Sequence, residues 1–272
     1  MQPVTELIRA RKSVRTFDGR EVCADDLEKL SSFMAETENP YRIPVEFKFL
    51  DAREQELKCS VVSGTNLYVG AKARRQQHTE EAVGYSLEML VLYAWSLGIG
   101  TVWVGGTMDR PAFERGMMLK PDEMMPCMSP LGYPAGKMSV RERMMRGAIK
   151  ADSRNAFETM FFDGTFDVPL TKEKAGKLAE PLEMVRWAPS AVNKQPWRVV
   201  VDKNAVHFYL KRAKGFVSDG AGDMQKIDMG IALCHFALAA KEGGQNLRFE
   251  VNHPGIAAET DMEYMASYLL QQ

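Results

Sequence analysis

Two segments of the chain carry the same pattern of apolar and polar positions. One starts at Glu80 and reads EEAVGYSLEMLVLYAWSLGIGTVWV, and the other starts at Gln225 and reads QKIDMGIALCHFALAAKEGGQNLRFEV. Apolar residues recur at spacings of three and four, which predicts a helix, and each helix is expected to end at a glycine. A β-branched or aromatic run follows in both, which predicts a strand. An offset of 146 residues aligns Gly84 with Gly230, Leu87 with Leu233, Ala94 with Ala240 and Gly98 with Gly244.

A second pair of segments repeats in the same order. DDLEKLSSFMAETENPYRIPVEFKFLD resembles AEPLEMVRWAPSAVNKQPWRVVVD, and both read as a helix, a proline-containing loop and a strand. Aligning Pro40 with Pro196 needs an offset of 156, so an insertion of ten residues would separate the two repeats. Chance similarity between amphipathic helices is the alternative explanation, and the shared order of two pairs disfavours it.

We therefore predict an α+β fold made of two degenerate repeats, residues 1–150 and 151–272. Each repeat is expected to hold a mainly antiparallel sheet flanked by helices. The repeats should pack about a pseudo-twofold axis as one globular pseudo-dimer. The stretch from Lys137 to Asn155, which joins them, is rich in charge.

Composition narrows the class of protein. Of the 272 residues, 45% are hydrophobic and 26% are charged, as in soluble globular proteins. The net charge of −1 gives no general attraction to nucleic acid or to an anionic membrane. The start of the chain has no apolar signal-peptide run, and the four scattered cysteines have no metal-binding spacing. A cytoplasmic protein is expected.

Three stretches could carry chemistry, and the first is ARKSVRTFDGR, residues 10–20. Arg11, Lys12 and Arg15 are cations, and Ser13 adds a hydroxyl within the same five positions. Guanidinium forks and an ammonium group suit a phosphate dianion. A solvated charged face is the other interpretation.

The second stretch, WAPSAVNKQPW, places polar side chains between two prolines. Ser190, Asn193 and Gln195 can both donate and accept hydrogen bonds, which suits the edge of a planar heteroaromatic ring. The alternative is an ordinary loop whose side chains bond its own backbone. Trp197 is expected to pack in the core beneath the loop, and His235, on a predicted core helix, is expected to be a structural histidine.

The third stretch is GIGTVWVGGTM, residues 98–108. A helix should end at Gly98, and a short strand should follow it. Gly105 and Gly106 would let backbone N–H groups approach a planar ligand closely. The stretch is neither a dinucleotide-binding glycine motif nor a phosphate loop, and a plain turn is the alternative.

Together, RKSVRTF, APSAVNKQPW and GIGTVWVGG resemble the nitroreductase-like FMN oxidoreductases. GYPAGK, residues 132–137, resembles the family's G-Y-P step before a basic stretch at the phosphate. The order of the motifs departs from the usual pattern, because the APS loop lies in the second repeat while the basic motif and the glycine segment lie in the first. Each half has lost what the other kept, as in the tandem, internally duplicated single-chain subgroup.

This resemblance implies one composite FMN site per chain, shared by the two halves. The residues expected at the phosphate and ribityl end are Arg11, Lys12, Ser13 and Arg15, with Lys137 and Arg141 on a looser match. Those expected at the isoalloxazine edge are Pro189, Ser190, Asn193 and Gln195, and Gly105 and Gly106 are expected to offer N–H groups near N5 and O4 of the ring.

The resemblance also implies an activity. NADH or NADPH would reduce the flavin, and a nitroaromatic or quinone-type small molecule would then take the electrons in a ping-pong cycle, with no catalytic side chain required. A non-catalytic flavin-binding or sensor protein is one alternative, and a flavin-free scaffold is another. No nucleic-acid or membrane partner is expected. A monomeric pseudo-dimer is expected, and the fusion does not forbid further association.

Overall fold

The computed structural model describes residues 2–271, in which helices and strands are interspersed along the chain. The helices are α1 (Val4–Ala10), α2 (Ala24–Glu36), α3 (Thr79–Ser96), α4 (Arg110–Gly116), α5 (Val140–Ala148), α6 (Lys172–Ala175), α7 (Ala179–Trp187) and α8 (Met224–Glu242). The strands are β1 (Glu46–Asp51), β2 (Leu67–Arg74), β3 (Glu123–Leu131), β4 (Phe161–Asp163), β5 (Trp197–Val201), β6 (Ala205–Lys211), β7 (Val217–Ser218), β8 (Gly222–Asp223), β9 (Asn246–Glu250) and β10 (Met262–Gln271).

Two mainly antiparallel sheets organise these elements. The first has the strand order β1-β2-β3, and the second has the order β4-β5-β6-β10-β9. Only β4, which runs parallel to β5, departs from antiparallel pairing among the strand pairs of residues 2–271. The predicted α+β class with two sheets is confirmed. Each sheet draws its strands from one side of residue 150.

Helices α3 and α8 cross at the centre of the molecule, where two glycines let their backbones touch. A Cβ atom on Gly84 would lie 2.3 Å from the carbonyl oxygen of Ile227, and one on Gly230 would lie 2.1 Å from that of Glu81. Glu81 and Ile227 are themselves related by the offset of 146 residues. Such a reciprocal contact is what a twofold axis requires, so the axis passes between the two glycines.

The predicted helix ends are confirmed. Gly98 and Gly244, which correspond at the same offset, follow α3 and α8 in the left-handed conformation, with φ of +77° and +74°. Only glycine adopts this conformation without steric cost, so it terminates both helices at equivalent positions.

The other pair of repeats has a different register from the predicted one. Helix α2 ends at Glu36 and β1 begins at Glu46, whereas α7 ends at Trp187 and β5 begins at Trp197. Both pairs of ends differ by 151 residues, so the offset of 156 obtained from Pro40 and Pro196 was wrong. The prolines stand at different points of loops of equal length.

The strand expected directly after Gly98 is not a continuous ladder. Residues 100–104 pair with the end of β3 only through single bridges, Gly100 with Gly132 and Val104 with Met128. The hydroxyl of Ser129, rather than a backbone carbonyl, accepts the N–H of Val102 at 3.2 Å. Because a side chain takes the place of a backbone acceptor here, the two segments do not form a continuous β-ladder.

A buried polar cluster connects the halves beneath the helix crossing. Glu88 accepts hydrogen bonds from Trp103 Nε1 at 2.8 Å and pairs with His235 Nε2 at 2.9 Å. The other ring nitrogen of His235 pairs with the carbonyl of Met184 at 2.9 Å. His235 is fully buried, as expected of a structural histidine, and Trp197 is likewise fully buried in the core. No helix within residues 2–271 has the length and apolar character needed to cross a membrane.

Candidate functional site

A cavity of about 610 Å³ lies between the two halves. It brings together six of the predicted site residues, Ser13, Arg15, Gly105 and Gly106 from the first half and Pro189 and Ser190 from the second. Much of the remaining wall is apolar and includes Val102, Val104, Met108, Met145, Met224, Ile227 and Ile231. Such a wall suits a planar aromatic ligand, with polar groups confined to a few positions.

The glycine segment is held against β3 by an arginine that the sequence did not single out. A Cβ on Gly105 would lie 2.5 Å from the terminal methyl of Met224, whereas one on Gly106 would meet no atom within 4 Å. Arg110 donates to the carbonyl of Gly105 at 2.7 Å and to those of Met125 and Pro126 at 2.7 and 3.1 Å. A side chain at residue 105 would therefore have to displace the flexible end of Met224, and Arg110 fixes the segment along the cavity.

The proline loop meets the cavity through its first half. The residues from Pro189 to Val192 line it, and the Ser190 hydroxyl accepts the N–H of Gln195 at 2.8 Å. The Asp228 carboxylate of α8 accepts the N–H of Ala191 at 2.9 Å. The loop thus bonds partly to itself, as one interpretation of the sequence proposed, and partly to α8.

Asn193 and Gln195 lie outside the cavity lining and hold the segment that joins the halves. Asn193 Nδ2 donates to the carbonyls of Lys150 and Ser153 at 2.8 and 3.1 Å. Gln195 Oε1 accepts the N–H of Asn155 at 3.0 Å. Their amides bind backbone, so the structure does not bring them to the cavity edge at which the sequence placed them.

Replacing Asn193 by alanine should lower the free energy of unfolding by about 1–3 kcal/mol, because two hydrogen bonds are lost and φ is +58°. An Asn193→Gly variant loses the same bonds but tolerates the left-handed backbone, so it should be the more stable of the two. Urea denaturation of both variants measures the difference. An Asn193→Ala variant as stable as the wild type would contradict the role in joining the halves.

Buried guanidinium groups near Ser13 lack hydrogen-bond partners. Nε and Nη1 of Arg11 and of Arg15 are buried without a partner, and so is Nε of Arg154. Arg11 is buried but does not line the cavity, and its Nε lies 3.8 Å from a Glu88 carboxylate oxygen. Buried donors of this kind cost free energy unless an acceptor meets them, so they indicate where an anion belongs.

The electrostatics of these arginines agree with that interpretation. Burial lowers the pKa of Arg11 and of Arg15, and the nearby Arg146 lowers both further, although Glu88 and Glu142 oppose the shift. Burial and then Arg11 lower the pKa of Arg154 to about 10. A cluster of like charges is relieved by a bound dianion.

The image of the cavity across the pseudo-twofold axis is filled by aromatic side chains. Phe249 corresponds to the cavity residue Trp103 at the offset of 146, and Tyr41 corresponds to the cavity residue Val192 at the offset of 151. The rings of Tyr41 and Phe249 pack edge to face at 4.8 Å, and Tyr41 stacks on His78 at 5.0 Å. The duplication has therefore kept an open cavity on one side of the axis and packed rings into its image.

Comparison with known families decides the identity of this fold. A family model described as "Putative TM nitroreductase" matches residues 3–240. The chain belongs to this nitroreductase family. Comparison with curated proteins gives no match.

Solved structures agree with the predicted nitroreductase-like fold. A protein of Thermotoga maritima described as a "putative nitroreductase" is similar over 99% of this chain and 93% of its own, with 20% identity and a TM-score of 0.63. A nitroreductase family protein of Clostridium novyi covers 50% of this chain and 87% of its own, with 18% identity and a TM-score of 0.43. An FMN-dependent nitroreductase of Clostridium difficile covers 49% and 88%, with 15% identity and a TM-score of 0.42. The first of these likenesses confirms the fold.

The remaining cations that the nitroreductase resemblance singled out stand apart from the cavity. Lys12 and Lys137 are exposed to solvent, and Arg141 donates to the carbonyl of Ser60 at 2.5 Å. None of the three lines the cavity. Their proposed contribution at the phosphate stays a prediction.

Other charged residues around the site do not stand out in the sequence. Arg146 and Arg154 belong to the charged joining segment, where nothing in their spacing pairs them with Arg11. Asp228 gave a weak signal, because a carboxylate interrupts the otherwise apolar run IDMGIALC of α8. Each comes to the site through tertiary packing.

Proposed function

We propose that this chain is an FMN-dependent oxidoreductase that takes electrons from NADH or NADPH and passes them to a nitroaromatic or quinone-type acceptor. Membership of the nitroreductase family gives the general class, an oxidoreductase. The observation that supports FMN is the set of buried, unpartnered N–H groups of Arg11 and Arg15, next to an apolar cavity that Arg15 enters. A flavin mononucleotide has both of the parts that such a site would bind, a dianionic phosphate and a flat ring.

The residues present fit this ligand from both ends. At the charged end, Arg15 and Ser13 line the cavity, and the buried Arg11 precedes them in the same basic stretch. At the other end, the bare backbone of Gly105 and Gly106 and the Pro189–Ser190 step border an apolar space. Guanidinium groups form strong charge-assisted bonds with phosphate oxygens, and apolar walls with few polar groups suit the ring.

Bound FMN would supply the two-electron chemistry, so the chain's own task is binding and orientation. Arg110 holds the glycine segment in place, and Asp228 holds the proline loop through the N–H of Ala191. Glu88 holds the indole of Trp103, whose side chain lines the cavity. The proposal therefore assigns binding and positioning roles to these side chains and a catalytic role to none.

The stoichiometry of flavin is the first test. The purified protein, saturated with FMN and freed of excess ligand, should retain one FMN per chain, because the image of the cavity holds the Tyr41 and Phe249 rings. Flavin absorbance against protein concentration gives the ratio. Two FMN per chain would contradict the single composite site, and no retained flavin would favour the flavin-free scaffold.

Anaerobic reduction is the second measurement. Excess NADH or NADPH should bleach the flavin absorbance, and a nitroaromatic or a quinone added afterwards should restore it. A flavin that stays oxidised with both nucleotides would instead support the non-catalytic flavin-binding protein.

A further inference from the structure

Asp228 is a buried carboxyl group in the cavity wall, and the sequence reasoning assigned it no role. It lies on α8, is 3% exposed, and accepts one N–H, that of Ala191, at 2.9 Å from Oδ1 and 3.1 Å from Oδ2. Among the groups of residues 2–271 that shift the pKa of Asp228, none is a cation. A single donor shared by two oxygens leaves a buried carboxylate poorly compensated.

The surroundings of Asp228 favour its neutral form. Burial raises the pKa of Asp228 well above its ordinary value, the Ala191 N–H opposes the shift, and the carboxylate of Asp223 adds to it. The Cys127 thiol faces it from β3 and is itself neutral, because burial raises its pKa to about 12. Two cations also border the cavity, and of these Arg110 is bonded to backbone carbonyls, while Arg15 belongs to the arginine cluster. Burial and the neighbouring Asp223 carboxylate therefore favour the protonated form of this carboxyl over the ionised one.

The duplication supplies an independent comparison. At the offset of 146 residues, Asp228 corresponds to Ala82 on α3, which is also fully buried. An acid therefore stands on the side of the axis that has the open cavity, and a methyl group stands in the same position on the side that is filled. If an acid at this position were needed only for the contact between α3 and α8, an acid would also be expected at residue 82.

We propose that Asp228, as a neutral carboxylic acid, donates a hydrogen bond to a carbonyl oxygen at the edge of the bound flavin ring. This inference rests on the proposed FMN function and assigns a contact of that site. Its geometric basis is the bond between Asp228 and Ala191, which keeps the carboxyl beside Pro189 and Ser190, the residues proposed to border the ring edge. A neutral acid can donate from one oxygen while the other still accepts the Ala191 N–H.

Carboxyl 13C NMR of the full chain labelled at aspartate tests the neutral state directly. The Asp228 signal, assigned by its loss in Asp228→Asn, should remain at the position of a protonated acid at about pH 6, where an ordinary aspartate with a pKa of about 3.9 is ionised. An ionised Asp228 at that pH would overturn the inference and leave it as an anchor for Ala191. The measurement needs no bound flavin, so its outcome is separate from that of the proposed function.

The dependence of FMN affinity on pH tests the hydrogen bond. The wild type should lose about 3- to 10-fold in FMN affinity relative to Asp228→Asn as the pH rises through the titration of Asp228, because the ionised acid cannot donate. The amide of the asparagine donates at every pH and still accepts the Ala191 N–H. Both proteins meet the same phosphate ionisation of FMN, so the ratio isolates Asp228. A ratio that does not change with pH would overturn the contact, and failure of the wild type to bind FMN at all would instead overturn the proposed function.

Stability gives a further readout that is independent of flavin. A carboxyl whose pKa is raised in the folded state weakens the fold as the pH rises from its unfolded pKa, about 3.9, towards its folded pKa. Asp228→Asn removes this loss. Its melting temperature relative to the wild type should therefore rise across that window and level off above it. A constant difference at all pH values would contradict the proton on Asp228.

Discussion

The Arg15→Gln variant is expected to bind FMN about 10- to 100-fold more weakly than the wild type, and to bind riboflavin as the wild type does. Arg15 enters the cavity with Nε and Nη1 unpartnered, and a charge-assisted hydrogen bond contributes about 1.5–3 kcal/mol. Riboflavin lacks the phosphate that this guanidinium is proposed to bind. Fluorescence titration of both ligands measures the two affinities.

Arg143→Gln is the matched control for this experiment. Arg143 is exposed on α5 and does not line the cavity, so the same change in charge should alter FMN affinity little. Equal losses of FMN affinity in the two variants would mean that Arg15 acts only through general attraction between charges. An equal loss of FMN and riboflavin affinity in Arg15→Gln would show that Arg15 does not bind the phosphate.

Gly230→Ala should lower the free energy of unfolding by about 3 kcal/mol or more, or prevent native folding. The added Cβ would lie 2.1 Å from the carbonyl oxygen of Glu81 and 2.9 Å from the N of Tyr85, both in the backbone of α3. Backbone atoms of a packed helix cannot move aside without opening the crossing, and overpacking of a core generally costs about 1–3 kcal/mol even for flexible side chains. Urea denaturation measures the loss.

The same substitution at Gly147 is expected to stabilise the fold instead of destabilising it. Gly147 lies within α5, and a Cβ there would meet no atom within 4 Å. Alanine should stabilise that helix by about 0.5–1 kcal/mol. Gly84→Ala should behave like Gly230→Ala, since its Cβ would lie 2.3 Å from the Ile227 carbonyl oxygen. A Gly230→Ala variant as stable as the wild type would contradict the close crossing of α3 and α8.

The duplicated helices were predictable because their signals are local. The apolar spacing in each segment and the glycines that terminate it depend on residues a few positions apart, and both helix ends were found where the sequence placed them. The alignment of Gly84 with Gly230 could also be read from the sequence, but the reason for a glycine inside each helix could not. A helix interior disfavours glycine, and only the crossing of two backbones explains it at both positions.

The loop register was less predictable, because proline marks a loop without fixing its position in it. Pro40 and Pro196 suggested an offset of 156, while the helix and strand ends gave 151. The corrected register matters for function, since it makes Tyr41 the counterpart of a cavity residue and accounts for the ring that fills the image.

The amides of Asn193 and Gln195 mark another limit of the sequence. An amide side chain uses the same donor and acceptor atoms to bond to a ligand or to the backbone, so the residue type alone does not predict its partner. Here the joining segment passes beside the loop, and both side chains bond to it.

By itself, the sequence determined the two repeats, their α+β elements and the separation of the basic motif from the proline loop, because periodicity, helix ends and motif order are properties of neighbouring positions. The tertiary structure decided which side chains share the cavity, that Arg146 and Arg154 lie near Arg11, and that Asp228 lies buried beside the proline loop. These features depend on burial and on distances between residues far apart in the chain. Only where packing removes a charged group from water does its charge become costly in free energy and its pKa shift.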